Sequence, residues 1–95
     1  MKDLSIAFLL DVYGELLTDR QQRIARDYFY DDLSLSEISE NENISRQGAH
    51  EIIKRTEQLL LFYEEKLRYS KTVYELKEAA TQKDINTILK IIENL

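Results

Sequence analysis

Residues 33–56, LSLSEISENENISRQGAHEIIKRT, constrain this chain more than any other stretch. Ser34 followed three residues later by Glu37 is an S-x-x-E capping box, in which each side chain satisfies a free backbone N–H of the other residue at a helix start. Leu35 and Ile38 then fall on one helical face. The polar run Asn41-Glu42-Asn43 stops that helix, since asparagine tolerates the left-handed backbone a helix end requires. Ile44 is the one apolar residue of the turn and is expected to plug the angle between two helices. Ser45 is a second N-cap. Behind it come Arg46, Gln47 and His50, while Ala49, Ile52 and Ile53 point the other way, into a core. A helix, a tight turn and a second helix, with the small Ala49 where they cross, is the pattern of a helix-turn-helix. An ordinary helical hairpin would use the same two helices and turn. Gly48 costs the second helix about 1 kcal/mol relative to Ala.

The flanking chain reads as further helices. Asp3 is a cap candidate for a first helix over residues 4–16, whose apolar residues (Leu4, Ile6, Phe8, Leu9, Leu10, Val12, Tyr13 and Leu16 among them) cover most of its circumference. Such a helix must be covered on more than one side. Gly14 within it suggests close approach of another backbone. Thr18 with Gln21 is a capping box for a second helix, with Ile24, Ala25, Tyr28 and Phe29 on its buried face and Asp31-Asp32 at its end. From Arg46 no stop signal occurs until Tyr69 or Ser70, and Ala49, Ile52, Ile53, Thr56, Leu59, Leu60, Tyr63 and Leu67 recur at three- and four-residue steps. Thr72 with Glu75 and Thr81 with Asp84 read as two more capping boxes. The second of these opens a last helix carrying Ile85, Ile88, Leu89, Ile92 and Leu95, for which the first helix is the expected partner. The fold class is therefore all-α: one helical domain over residues 1–95, with a helix-turn-helix core at 17–56 and a helical extension at 57–95 that serves oligomerisation. The partner expected for the extension is a second copy, giving a homodimer.

Composition narrows the function. The chain has 95 residues, a net charge of −5, no cysteine and one histidine. Disulfides and thiolate metal sites are excluded, and a lone His50 supports neither a catalytic triad nor a zinc site. No glycine-rich phosphate loop occurs. No enzyme, cofactor or metal is expected. The apolar run at residues 6–10 lacks the flanks of a signal peptide and is too short to span a bilayer, so membrane insertion is not expected and a cytoplasmic setting is. The acidic balance argues against a general nucleic-acid coat, but leaves room for a local basic face such as Arg20, Arg23 and Arg26. Those arginines would equally suit a solvated helix surface paired with Asp19 and Asp27.

Leu17-Thr18-Asp19-Arg20-Gln21, Asp32-Leu33-Ser34-Leu35-Ser36-Glu37-Ile38 and Ile44-Ser45-Arg46-Gln47 together resemble region 4 of sigma factors and related helix-turn-helix regulators. A longer string adds YFYDDLSL at residues 28–35, Ile53-Lys54-Arg55-Thr56-Glu57 and Tyr63-Glu64-Glu65-Lys66-Leu67. It resembles the small YlxM/p13-like proteins of low-GC Gram-positive bacteria and mycoplasmas over residues 10–67. Members of that family are regarded as helix-turn-helix DNA-binding proteins. Their genes lie beside those of the signal recognition particle, so the resemblance implies a regulatory part in co-translational targeting. This chain departs from the family at Gly48-Ala49, where Ala-Val is expected after Ser-Arg-Gln.

The nucleic-acid site expected from these residues has two parts. Arg46, Gln47, His50 and Glu51 would face base edges, since arginine pairs with guanine and glutamine with adenine in the major groove. Lys54, Arg55, Arg20 and Arg23 would meet phosphates. DNA is the first partner expected, with RNA as an alternative. A protein or RNA adaptor of the signal recognition particle that does not read DNA is the competing function, and a helical dimerisation module the third.

Overall fold

The capping signals translate into helices because each satisfies backbone groups locally. The structure, a computed structural model, describes residues 4–95; the cap expected at Asp3 lies outside them. Among the described residues there are six α-helices and no strand: α1 (Leu4–Tyr13), α2 (Asp19–Phe29), α3 (Leu35–Glu42), α4 (Arg46–Leu67), α5 (Tyr69–Thr81) and α6 (Ile85–Glu93). A single 3-10 turn at Gly14–Leu16 follows α1, so the first helix is shorter than expected by three residues. Gly14 is buried there, but not against backbone. A Cβ on it would stand 3.2 Å from Gln22 Nε2 and 3.5 Å from a Leu10 methyl. Both capping boxes expected at the starts of α2 and α3 form. Thr18 Oγ1 accepts from the Gln21 N–H while Gln21 Oε1 accepts from that of Thr18, and Ser34 and Glu37 do the same.

α4 is the axis of the molecule. It has 22 residues, and its buried face, Ala49, Ile53, Thr56 and Leu60, steps by four, three and four. α1, α2 and α3 all pack on this face. Ile6 and Leu10 from α1, Ile24 from α2 and Ile38 from α3 fill the space between, each almost without solvent exposure. Burying side chains of this size contributes about 1.5–3 kcal/mol apiece. Ala49 is fully buried, which lets α4 approach its neighbours closely. One polar atom is trapped: Thr56 Oγ1 has no hydrogen-bond partner among the described residues. On the outer side of α1, Tyr30 Oη donates to the Asp11 carboxylate and lies 3.2 Å from the Ala7 carbonyl. Partial burial, then the Asp11 bond, push the Tyr30 phenol up to about 12.

Beyond the core the chain turns at single residues. Arg68 adopts the left-handed conformation (φ 51°), ends α4 and begins α5. The start of α5 is not the capping box expected at Thr72, which lies inside the helix and donates to the Arg68 carbonyl. Tyr13 and Glu64 supply the cap instead. The Tyr13 hydroxyl accepts from the Tyr69 and Ser70 amides at 3.1 and 3.3 Å and donates to Glu64, whose carboxylate accepts the Lys71 amide at 3.1 Å. These are the amides a helix start leaves without internal partners. Thr81 is likewise no cap. It is the last residue of α5 and donates back to the Lys77 carbonyl. Asp84 caps α6, accepting the amide and hydroxyl of Thr87, and these bonds hold its carboxyl below the usual range. α6 packs on α5 and not, as expected, on α1. The left-handed turn at Lys83 (φ 55°) folds it back along α5.

Candidate nucleic-acid interface

The turn between α3 and α4 sets the site. Asn43 takes the left-handed conformation (φ 56°, ψ 46°), and the Ile44 amide reaches back to the Ser39 carbonyl at 3.0 Å, closing the end of α3 as expected from Asn43. Ile44 packs half-buried against the core. Ser45 Oγ then accepts from the Gly48 amide at 2.9 Å and starts α4. Gly48 fits this cap tightly, since a Cβ there would lie 3.1 Å from Ser45 Oγ. A helix, a three-residue turn and a second helix held by a buried Ala49 is a helix-turn-helix, with α4 as its second helix.

Arg46, Gln47, His50, Glu51, Lys54 and Arg55 are all exposed on the first three turns of α4. At about 100° per residue, Gln47, Glu51, Lys54 and Arg55 lie opposite the buried Ala49 and Ile53. His50 flanks them on one side, while Arg46 lies near the Ile53 direction and is exposed because it stands at the helix start. The face therefore offers guanidinium, amide, imidazole and carboxylate groups together. Gln47 Nε2 donates to Glu51 at 3.4 Å, a long bond that a base edge could replace. Glu51 places one negative charge among the cations, suited to accept from cytosine N4 and unsuited to a phosphate.

Arg20 and Arg23 do not stand free. Arg23 makes a two-pronged bond to Glu42, with Nε and Nη2 each 2.7 Å from a carboxylate oxygen, and Arg20 Nε lies 3.8 Å from the same group. The partner expected from sequence, Asp19 or Asp27, is replaced by a residue of α3. The Glu42 side chain is 9% exposed. Its bond to Arg23 holds its carboxyl below the usual glutamate value, and the same bond raises Arg23. Glu42 thus joins the site as a residue that sequence reasoning used only as part of a helix stop. It clamps α2 to the end of α3 and offsets the charge of the two arginines. Among the described residues no group of three or more metal-ligating side chains converges, and no helix is long and apolar enough to cross a membrane.

Comparison with known families bears on this geometry. The family described as "Putative helix-turn-helix protein, YlxM / p13 like" matches residues 1–94. The chain belongs to the YlxM/p13-like family. A family protein of Fusobacterium nucleatum is 42% identical over 97% of this chain and 93% of its own. One from Symbiobacterium thermophilum is 40% identical over 100% and 96%, and one from Malacoplasma penetrans 43% over 96% and 87%. The YlxM/p13-like likeness thus spans the arm formed by α5 and α6 as well as the helix-turn-helix, a wider match than residues 10–67.

Proposed function

We propose that this chain is a helix-turn-helix nucleic-acid-binding regulator of the cytoplasm, in which residues 17–56 read DNA and residues 57–95 hold two copies together. The observation that carries this reading is the exposed face of α4 directly behind the Ser45 cap, where Arg46, Gln47 and His50 project beside the turn. The second helix of this motif presents those positions to the major groove. Lys54 and Arg55 would contact phosphates, with Arg20 and Arg23 joining as far as Glu42 releases them. The test is fluorescence anisotropy on pooled duplex DNA across a salt series. Arg46→Ala should weaken binding by about 1–3 kcal/mol if it pairs with a base. Binding that is unchanged in Arg46→Ala/Gln47→Ala, or that ignores salt, overturns the reading.

A second reading is favoured by the acidic charge and by the exposed apolar residues Phe8, Leu61 and Phe62. In it the chain is a protein or RNA adaptor, and the family's gene neighbourhood points to the signal recognition particle. Binding to that particle's RNA or GTPase, insensitive to Arg46→Ala, would support it.

A further inference from the structure

α6 is an amphipathic helix with half a partner. Ile88 and Ile91 are half-buried against α5, yet no residue of α6 is buried. Ile85, Leu89 and Ile92, spaced i, i+4 and i+7, stand 68, 51 and 51% exposed on its open side. This is the spacing by which a helix anchors in a groove. The same chain carries an unfilled groove of about 430 Å³ between α1, α4 and α5, walled by Phe8, Leu9, Leu61 and Tyr74, with Glu64 and Lys71 as polar residues at its rim. The chain's own α6 does not fill it. α6 lies along the Thr72, Glu75 and Ala79 side of α5 and shares Lys71 and Tyr74 with the groove at its edge, but it meets none of Phe8, Leu9, Leu61 and Ser70.

The size of the uncovered surface is enough for a second copy. The accessible surface is 6814 Å². A compact monomer of 11.3 kDa exposes about 5,700 Å². The surplus, about 1,100 Å² per chain, slightly exceeds the roughly 800 Å² that each partner contributes to an ordinary stable dimer. The radius of gyration agrees: 16.4 Å, against about 12 Å for a compact chain of this length. A helix and a groove on one molecule that cannot reach each other can meet reciprocally across a two-fold axis.

We propose that two copies of this chain pair by seating the Ile85–Leu89–Ile92 face of each α6 in the Phe8–Leu61–Tyr74 groove of the other. This rests on the dimer part of the proposed function, and adds Phe8 of α1 to residues 57–95 in holding the two copies. Each α6 keeps Ile88 and Ile91 on its own α5, so no exchange of helices is required.

The test uses sedimentation equilibrium on full-length chains that retain helical circular dichroism. Leu89→Asp spoils α6 and leaves the groove; Phe8→Ser spoils the groove and leaves α6. Leu61→Ser replaces Phe8→Ser should the latter lose its helical spectrum. The wild type should be dimeric, and each variant alone should lose both contacts, at about thirtyfold in dissociation constant per contact. An equimolar mixture should recover dimer, because one intact α6 then meets one intact groove. A wild-type monomer overturns both the dimer and this contact. A wild-type dimer whose variants stay dimeric, or whose mixture stays monomeric, overturns the contact alone.

Discussion

Two residues carry energetic tension in opposite senses. Glu42 is stabilised by its charge: the bond to Arg23 lowers its carboxyl in the folded protein. A carboxyl lowered by folding contributes stability that is full above its ordinary value and is lost as pH falls through the depressed one. Glu42→Gln should therefore lower the urea midpoint at neutral pH, and the gap to wild type should narrow as pH falls below the ordinary glutamate value and close once Glu42 is itself protonated. The same variant should strengthen DNA binding, since it frees Arg20 and Arg23 for phosphates, and should steepen the salt dependence by about one to two charges. Thr56 is the converse. Its buried hydroxyl has no partner among the described residues, and such a group costs about 1–3 kcal/mol. Thr56→Val keeps the shape and should raise stability by about 1 kcal/mol in urea unfolding; a drop would show that the hydroxyl has a partner.

At the level of helices, the α4–α5 elbow depends on one phenol. Tyr13→Phe removes the acceptor for two α5 amides and a donor to Glu64. It should cost about 1–3 kcal/mol and speed amide exchange at Tyr69 and Ser70 while the helix-turn-helix stays protected. This elbow also marks where sequence reading stops. The caps at Thr18, Ser34 and Ser45 were legible because donor and acceptor lie three residues apart. The α5 cap was not, because Tyr13 comes from more than fifty residues away and the nearby Thr72 and Glu75 mimic a box. Thr81 misled in the same way, its hydroxyl turned back onto its own helix. The exposed set on α4 followed from periodicity alone, whereas the Glu42 clamp required knowing that α2 and α3 lie side by side. The place of α6 could not be read either: Arg68 and Lys83 carry no glycine signal, yet both take the left-handed turn that aims the arm.

The whole molecule is 52 Å long and 16 Å at its thinnest, more rod than sphere. If two copies complete each other's surface, folding and association are linked, and the melting temperature should rise with protein concentration over a roughly hundredfold range. A constant value in scanning calorimetry would count against a dimer. The rod's spine is α4, which begins at the exposed Arg46 face and ends at the elbow. Its 22 residues make a shaft about 33 Å long, and a shaft transmits angle as well as distance. One residue inserted near Gln58 would turn everything beyond it by about 100° relative to the exposed Gln47–Lys54 face, carrying Leu60 off the buried stripe and Glu64 and the α5 amides away from Tyr13. The angle between that face and the arm is thus held in phase by α1, like a key whose bit and bow are cut on the same blank.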